Sequence, residues 1–468
     1  MLGGEVMRIS SQTRFGILAL ALGLIAGVTP GAGLASPPTE PRERVKAFPY
    51  CSWWVVTTPE TMNVAYPDTS AVYWTTPFVA KPGESIVVDG TFPEARFMSL
   101  TVYDNSFDYF TTNGVNSQID DYQILPDEGS TNPWAPSATA NAKSGGSFTV
   151  TITPKASASV PNTLPILPQD PVSSSLFPAR TGFLIYRVYL PEGGMQAVSL
   201  PSLTLLGPTG KKTSLSRCSG KDQAALAKTA RGLKLLALMK KLKDGGTGAA
   251  PELCSKNGGS CPPNYQFFRP TPAVTGKLFP NASNAYAAMT FPPTTGQAVV
   301  IRLLAPTSPA GVGGGTSPIP WPTDDYQVRY WSVCNNIYAV PFPVVANRSP
   351  QGTTYGCVSD SEAVLDSDGY ATFVITKPGE RPSKATTTNG YNWIPTSLKK
   401  GSTTEMVAVR NMLPSADFPE SVLAAPPNGV PGDTAEAMGE YYPTVATCSL
   451  ADFEAGGGDA CFTADGTR

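Results

Sequence analysis

The sequence predicts an all-β protein: two tandem homologous antiparallel β-sandwich domains, jelly-roll-like, joined by one helix-containing linker. Three observations predict it. Only 15% of the 468 residues are charged, while 47 Pro and 44 Gly punctuate the chain; an average soluble domain carries about 25% charged residues. The segments between these breaks alternate with a period of two or run apolar on both faces. The chain also aligns with itself.

The N-terminus reads as a signal peptide over residues 1–35. Arg8 and Arg14 precede the apolar run Ile17–Val28, and small residues ending Gly33-Leu34-Ala35 favour cleavage after Ala35. That run is about 12 residues long, short of the ~20 that a spanning helix needs. Removing Glu5, Arg8 and Arg14 moves the formal charge from −2 to −3. A short linker, 36–45, follows. The expected location is secreted, extracellular or periplasmic.

Sliding the chain against itself reveals the repeat. At an offset of 213, Thr58, Pro59, Pro67, Ser70 and Tyr73 match Thr271, Pro272, Pro280, Ser283 and Tyr286. Phe78, Gly83, Val87 and Pro93 continue the series with Phe291, Gly296, Val300 and Pro306. A Gly- and Pro-rich insertion (310–322) then moves the offset to 233, where Arg96-Phe97-Met98-Ser99 matches Arg329-Tyr330-Trp331-Ser332. At 223, Gly146, Thr149, Ile152 and Thr153 match Gly369, Thr372, Ile375 and Thr376, and Arg187, Leu190 and Pro191 match Arg410, Leu413 and Pro414. The sandwich domains are placed at 46–212 and 263–450, with a tail at 451–468.

Within the first copy, Ser85–Phe92 and Arg96–Tyr103 are rich in Val, Phe, Thr and Tyr and are separated by Pro93, as two strands would be. Ser147–Thr153 alternates, placing Phe148, Val150 and Ile152 on one face. Gly145-Gly146 and Asp368-Gly369 are hairpin-turn signals. Phe183–Leu190 is apolar on both faces, as a covered central strand is. The linker 213–262 departs from this pattern. Asp222–Lys243 has helical periodicity, with Leu226, Ala230, Leu233 and Ala237 on one stripe. Ten Lys or Arg lie between Lys211 and Lys243. Such a helix packs its Leu face on a sandwich, or makes peripheral contact with a membrane through residues 222–243.

All eight cysteines lie beyond the leader, and an even count in an exported chain points to disulfides. Cys51 and Cys218 flank the first copy. Cys254 with Cys261, Cys334 with Cys357, and Cys448 with Cys461 are the nearest remaining pairs, although spacing leaves the connectivity open. No C-x-x-C metal knuckle is present, and no cofactor or metal is expected.

The chain contains no histidine. Ser-His-Asp and Cys-His nucleophile systems, His-ligated metals and imidazole acid–base chemistry are therefore excluded. The near-neutral formal charge of −2 argues against nucleic acid, which usually demands a clustered basic face. Carboxylates remain for acid–base work: Asp104, Asp108, Asp120 and Asp121 in the first copy, Asp324 and Asp325 in the second. A facing pair would suffice for polysaccharide hydrolysis. Asp-Asp-Tyr-Gln occurs at 120–123 and at 324–327, yet the repeat alignment makes these non-equivalent turn sequences. Asp366-Ser-Asp368-Gly369 lacks the downstream Glu of a calcium loop and reads as a hairpin turn.

Arginines are the better signal. Arg96 and Arg329 open matched strands, and Arg187 and Arg410 sit inside matched strands. Among aromatics a guanidinium can hold a carboxylate bidentately or stack on a ring. The alternative is an internal ion pair or main-chain clamp within each sandwich. Trp321 in the insertion and Trp393 in Asn389–Pro395 are expected in loops, where an aromatic platform suits a sugar ring.

Several of these segments resemble a bacterial domain family of unknown function: Arg96–Asp104, the Gly-led strand 146–153, Asn392-Trp393-Ile394-Pro395, Val407–Pro414 and Tyr442–Val445. The resemblance implies a jelly-roll-type sandwich in an exported protein and carries no catalytic residues. The family's Asn-Trp-Leu-Pro-like signature is found here in the second copy only. The expected function is a non-enzymatic binding or cell-envelope role. Its partners would be a glycan, a small acidic ligand or a protein, with Arg96, Arg187, Arg329, Arg410, Trp321 and Trp393 as binding residues. A carboxylate-dependent hydrolase and a self-assembling structural surface protein are the alternatives.

Overall fold

The computed structural model describes residues 51–138, 145–171, 177–219, 264–271, 278–339, 341–399 and 403–464. The segments expected to be a leader (1–35) and a linker helix (222–243), with Cys254 and Cys261, lie outside the described residues.

The first half is a sandwich of two sheets. One sheet orders the strands Val55–Thr57, Ala71–Val79, Thr181–Pro191, Ala95–Tyr103 and Gln118–Asp120; the other orders Lys212–Leu215, Ser202–Leu206, Ser85–Thr91, Ser147–Thr153 and Thr163–Pro165. Pairing is antiparallel throughout, apart from a parallel match of Ser147–Thr153 with Thr163–Pro165. The alternation of Ser147–Thr153 has its structural counterpart: Phe148, Val150 and Ile152 point into the core with Trp74, Phe92, Leu100 and Tyr186, while its Ser and Thr residues are half-buried.

The second half has four strands in each sheet, in the order of the first half without Val55–Thr57 and Lys212–Leu215. Asn284–Phe291, Glu405–Pro414, Val328–Ile337 and Cys357–Ser359 form one sheet. Tyr391–Pro395, Tyr370–Thr376, Gln297–Leu304 and Thr444–Ser449 form the other, again with one parallel pair. Even unusual backbone conformations correspond. Tyr66 and Phe279 take φ of 54° and 52°, and Leu190 and Leu413 both take 46°, a region that bulky residues enter only when the surroundings compel them. Leu190 N donates to Ser70 O, and Leu413 N to Ser283 O, each at 2.8 Å.

Ala95–Tyr103 and Val328–Ile337 are buried along their whole length. An ordinary sandwich strand covers one face only. Here the outer faces of the two arginine-bearing sheets pack on each other. Ala71, Phe97 and Tyr189 of the first half share a core with Trp321, Tyr330 and Met412 of the second. The protein is thus layered sheet on sheet across both halves, and the residues between the two inner sheets must satisfy their polar groups without water.

One feature differs from the expected boundaries. Helical turns over Leu450–Ala464, broken at Gly457 with φ 67° and ψ −156°, occupy most of the expected tail 451–468 and bury Phe453, Cys461 and Phe462 against Ala298, Val300 and Ala446. Their Gly-rich sequence hides the amphipathic period, so sequence pattern alone missed them. Disulfides join Cys51 to Cys218, Cys334 to Cys357 and Cys448 to Cys461, the pairs that spacing brought together. Cys334 and Cys357 are register partners. The corresponding partners in the first half, Thr101 and Gln118, make a side-chain hydrogen bond of 3.2 Å instead.

Candidate functional site

The four arginines meet between the halves. Pairing across three adjacent strand contacts aligns Tyr73, Arg187, Ser99 and Asp120 in one row, and Tyr286, Arg410, Ser332 and Ser359 in the matching row. Strand alternation turns these residues away from their own sandwich core and toward the other half. The ion pairs therefore run between the sandwiches, whereas the sequence suggested clamps inside each one.

Arg96, fully buried, pairs with Asp360 of the second half at 2.8 Å, and its Nε donates to Gly315 O at 2.8 Å. Arg329, also fully buried, pairs with Asp121 of the first half at 3.0 Å. Asp121 and Asp360 each follow the short strand that pairs beside the respective arginine strand, so the two ion pairs are reciprocal. Arg410 pairs with Asp68, donates to Tyr66 O at 3.2 Å, and shares that carboxylate with the hydroxyls of Ser332 at 2.7 Å and Tyr330 at 2.9 Å. Arg187 differs. Its Nη2 donates to Tyr103 Oη at 2.8 Å and its Nη1 to Ser99 Oγ at 3.3 Å, while its guanidinium lies 5.4 Å from the Tyr73 ring. It pairs with no carboxylate among the described residues.

The aspartates were the residues that sequence reasoning placed least well. Asp68 and Asp360 were not singled out, although Pro67-Asp68-x-Ser70 against Pro280-Asn281-x-Ser283 carries the relevant difference in the repeat alignment. Asp120 accepts hydrogen bonds from Ser283 Oγ and from Gln118 Nε2 at 2.9 Å. Asp121 also accepts from the backbone of Met98 at 2.8 Å. Burial pushes both carboxyls above the usual range, opposed at Asp120 by its hydrogen bonds and at Asp121 by Arg329. Asp104 closes its own loop, accepting from Ser106 N at 2.8 Å and Ser106 Oγ at 2.6 Å. Asp324 and Asp325 are exposed in a loop. Asp366 organises a hairpin turn through Asp368 N and Tyr370 N and pairs with Arg302 at 2.9 Å.

The tryptophans are also elsewhere than expected. Trp321 is 2% exposed rather than displayed on a loop, with its ring 5.5 Å from the Arg329 guanidinium. Trp134 of the first half lies 5.9 Å from the same guanidinium, so a tryptophan from each half flanks Arg329. Trp393 belongs to the strand Tyr391–Pro395, donates from Nε1 to Thr376 Oγ1 at 2.9 Å and lies under Arg381 at 4.5 Å. Its strand has a counterpart, which corrects the reading of the signature as confined to the second copy. Asn162-Thr163-Leu164-Pro165 takes the same parallel register as Asn392-Trp393-Ile394-Pro395. Asn162 bridges to both backbone groups of Leu125, and Asn392 likewise to Val364. Threonine at the tryptophan position hid the match.

Chemically, this layer is a buried set of guanidinium–carboxylate and hydroxyl contacts suited to holding surfaces together or holding an anion. Asp68 lies near Cys334 and Cys357, but those sulfurs are bonded to each other and are not available as thiolate ligands.

No protein-family model and no curated protein matches the chain. Among solved structures it is similar to an uncharacterised protein from Burkholderia cenocepacia, at 14% identity and a TM-score of 0.45, covering 85% of this chain and 81% of that one. The VPA0106 protein from Vibrio parahaemolyticus is similar at 14% identity and a TM-score of 0.38, covering 81% of this chain and 89% of that one.

Proposed function

We propose that the protein is exported and acts by binding, in the cell envelope or outside the cell, on a scaffold made by tandem duplication of one sandwich. The observation that carries the binding reading is the engagement of Asp120 and Asp121. These are two of the six carboxylates offered for hydrolysis, and both are held in buried contacts with the opposite half. Three disulfides support an oxidising compartment, as does the leader-like N-terminus. Among the described residues no helix is long and apolar enough to cross a membrane. The shared order of the four strands common to each pair of sheets supports the duplication.

The test is expression of the full chain with its leader, followed by mass analysis, thiol labelling without reductant, and a thermal-shift screen against glycans, calcium, lipid vesicles and small carboxylates. The expected product begins at Ser36, leaves the disulfide cysteines unlabelled and shows a saturable shift with one ligand class. An unprocessed, thiol-labelled protein would contradict export. Polysaccharide turnover lost in a combined D104N/D120N/D121N variant would replace binding with hydrolysis.

A further inference from the structure

The two arginine rows provide an internal comparison. At Arg410 a carboxylate from the other half, Asp68, takes the guanidinium and the Ser332 hydroxyl. The repeat places Asn281 where Asp68 stands. At Arg187, 2% exposed, the corresponding carboxylate is missing, and Asn281, 7% exposed, has its Nδ2 buried without an acceptor. Arg187 Nε is likewise buried without an acceptor, as is Arg410 Nε, so the distinguishing feature is the carboxylate rather than Nε.

The surrounding chemistry is suited to an anion. Tyr103 donates its hydroxyl proton to Pro280 O at 2.7 Å and accepts from Arg187. Ser99 accepts from Arg187, which leaves its own proton to donate, as Ser332 does to Asp68. Phe97 replaces the hydroxyl that Tyr330 supplies in the other row, and Asn281 Nδ2 offers a donor in compensation. Asp120 stands in the same row, but its oxygens take Ser283 and Gln118. A buried guanidinium without a directly bonded counter-charge is costly, and at the matching Arg410 that counter-charge is a carboxylate, one oxygen of Asp68 taking Nη1 together with the Ser332 and Tyr330 hydroxyls.

We infer that Arg187, Ser99 and Asn281 form a binding site for a small monocarboxylate, held between the two halves as the Asp68 side chain is held by Arg410 and Ser332. This deepens the binding reading above, by naming a site and a ligand class.

Formate and acetate are the probes. The melting temperature of the mature chain is followed against each acid at constant ionic strength set with sodium chloride, and native mass spectrometry is run before and after addition. The expected result is an added small-acid mass on the purified chain, or a saturable rise of about 3 °C at 100 times Kd. N281D supplies an internal carboxylate, so it should raise the melting temperature and abolish both signals. D68N removes the carboxylate at Arg410, so it should lower the melting temperature and gain a second acetate response. The wild type showing neither signal, or N281D retaining the wild-type response, would overturn the site. A shift with another ligand class that N281D leaves intact would preserve the binding reading while rejecting this site.

Discussion

Arg96 and Arg329 donate to each other's backbone carbonyl oxygen, at 3.1 Å in each direction. Each also reaches an aspartate of the opposite half. A contact that is its own mirror across the two halves explains why both arginines stand in a chain so poor in charge. Each satisfies main-chain and carboxylate groups that the sheet packing removes from water.

Breaking one of these pairs leaves a buried charge without its partner. D360N and D121N should each destabilise by about 3–5 kcal/mol, read as a lower urea midpoint with an unchanged slope. The half-exposed Arg302–Asp366 pair provides the contrast, since removing its charge with D366N should cost less than about 1 kcal/mol. Equal losses at all three sites would remove the interface from its special place in the account.

Gly315 should be intolerant of a side chain. Its φ is +88°, and a Cβ there would collide with Ser361 Oγ and stand 3.0 Å from Arg96 Nη2. G315A is expected to cost about 1–3 kcal/mol through backbone strain together with displacement of Arg96. Chemical denaturation of G315A alongside G314A, whose position faces open space at a φ of +68°, separates the crowding from the backbone term.

Glu405 makes stability depend on pH. It is fully buried, accepts from Asn335 Nδ2 at 2.6 Å and Ser397 N at 2.8 Å, and burial pushes its carboxyl up to about 7. A carboxyl raised in the folded state binds a proton there more readily than in the unfolded chain. Its contribution is fully present below the ordinary carboxyl range and is lost as pH rises through about 7. The full span is up to about 3 kcal/mol. Denaturation midpoints from pH 5 to pH 8 should fall in the wild type and fall less in E405Q; parallel curves would contradict the assignment.

The Cys334–Cys357 bond closes a separation of 23 residues, for which loop entropy gives about 3 kcal/mol. C334A/C357A should lose that much by urea denaturation while keeping the far-ultraviolet spectrum of a β protein. A loss no larger than at an exposed surface site would mean that the edge strand Cys357–Ser359 is held by strand pairing alone.

What could be read in the sequence follows from how local each signal is. Ser147–Thr153 was legible because its alternation needs only neighbours. The disulfide partners were legible because the cysteines are few and close in sequence, or flank one copy. Asp68 and Asp360 were not, because their arginines lie 342 and 264 positions away and a lone aspartate carries no periodicity. Trp321 was taken for a displayed ring because insertions usually lie on the surface, whereas this one folds back to cover Arg329. The match of Asn162 and the strand Thr163–Pro165 to the second-copy signature is hidden by the exchange of one residue, Thr163 for tryptophan.

The buried arginine–aspartate layer should make the two sandwiches one cooperative body. Differential scanning calorimetry of residues 36–468 reads this out. A single transition with matching calorimetric and van't Hoff enthalpies is expected, moved as a whole to lower temperature by D360N. Two separable transitions, only one of them shifted by D360N, would show that the halves fold and melt independently, and would contradict it.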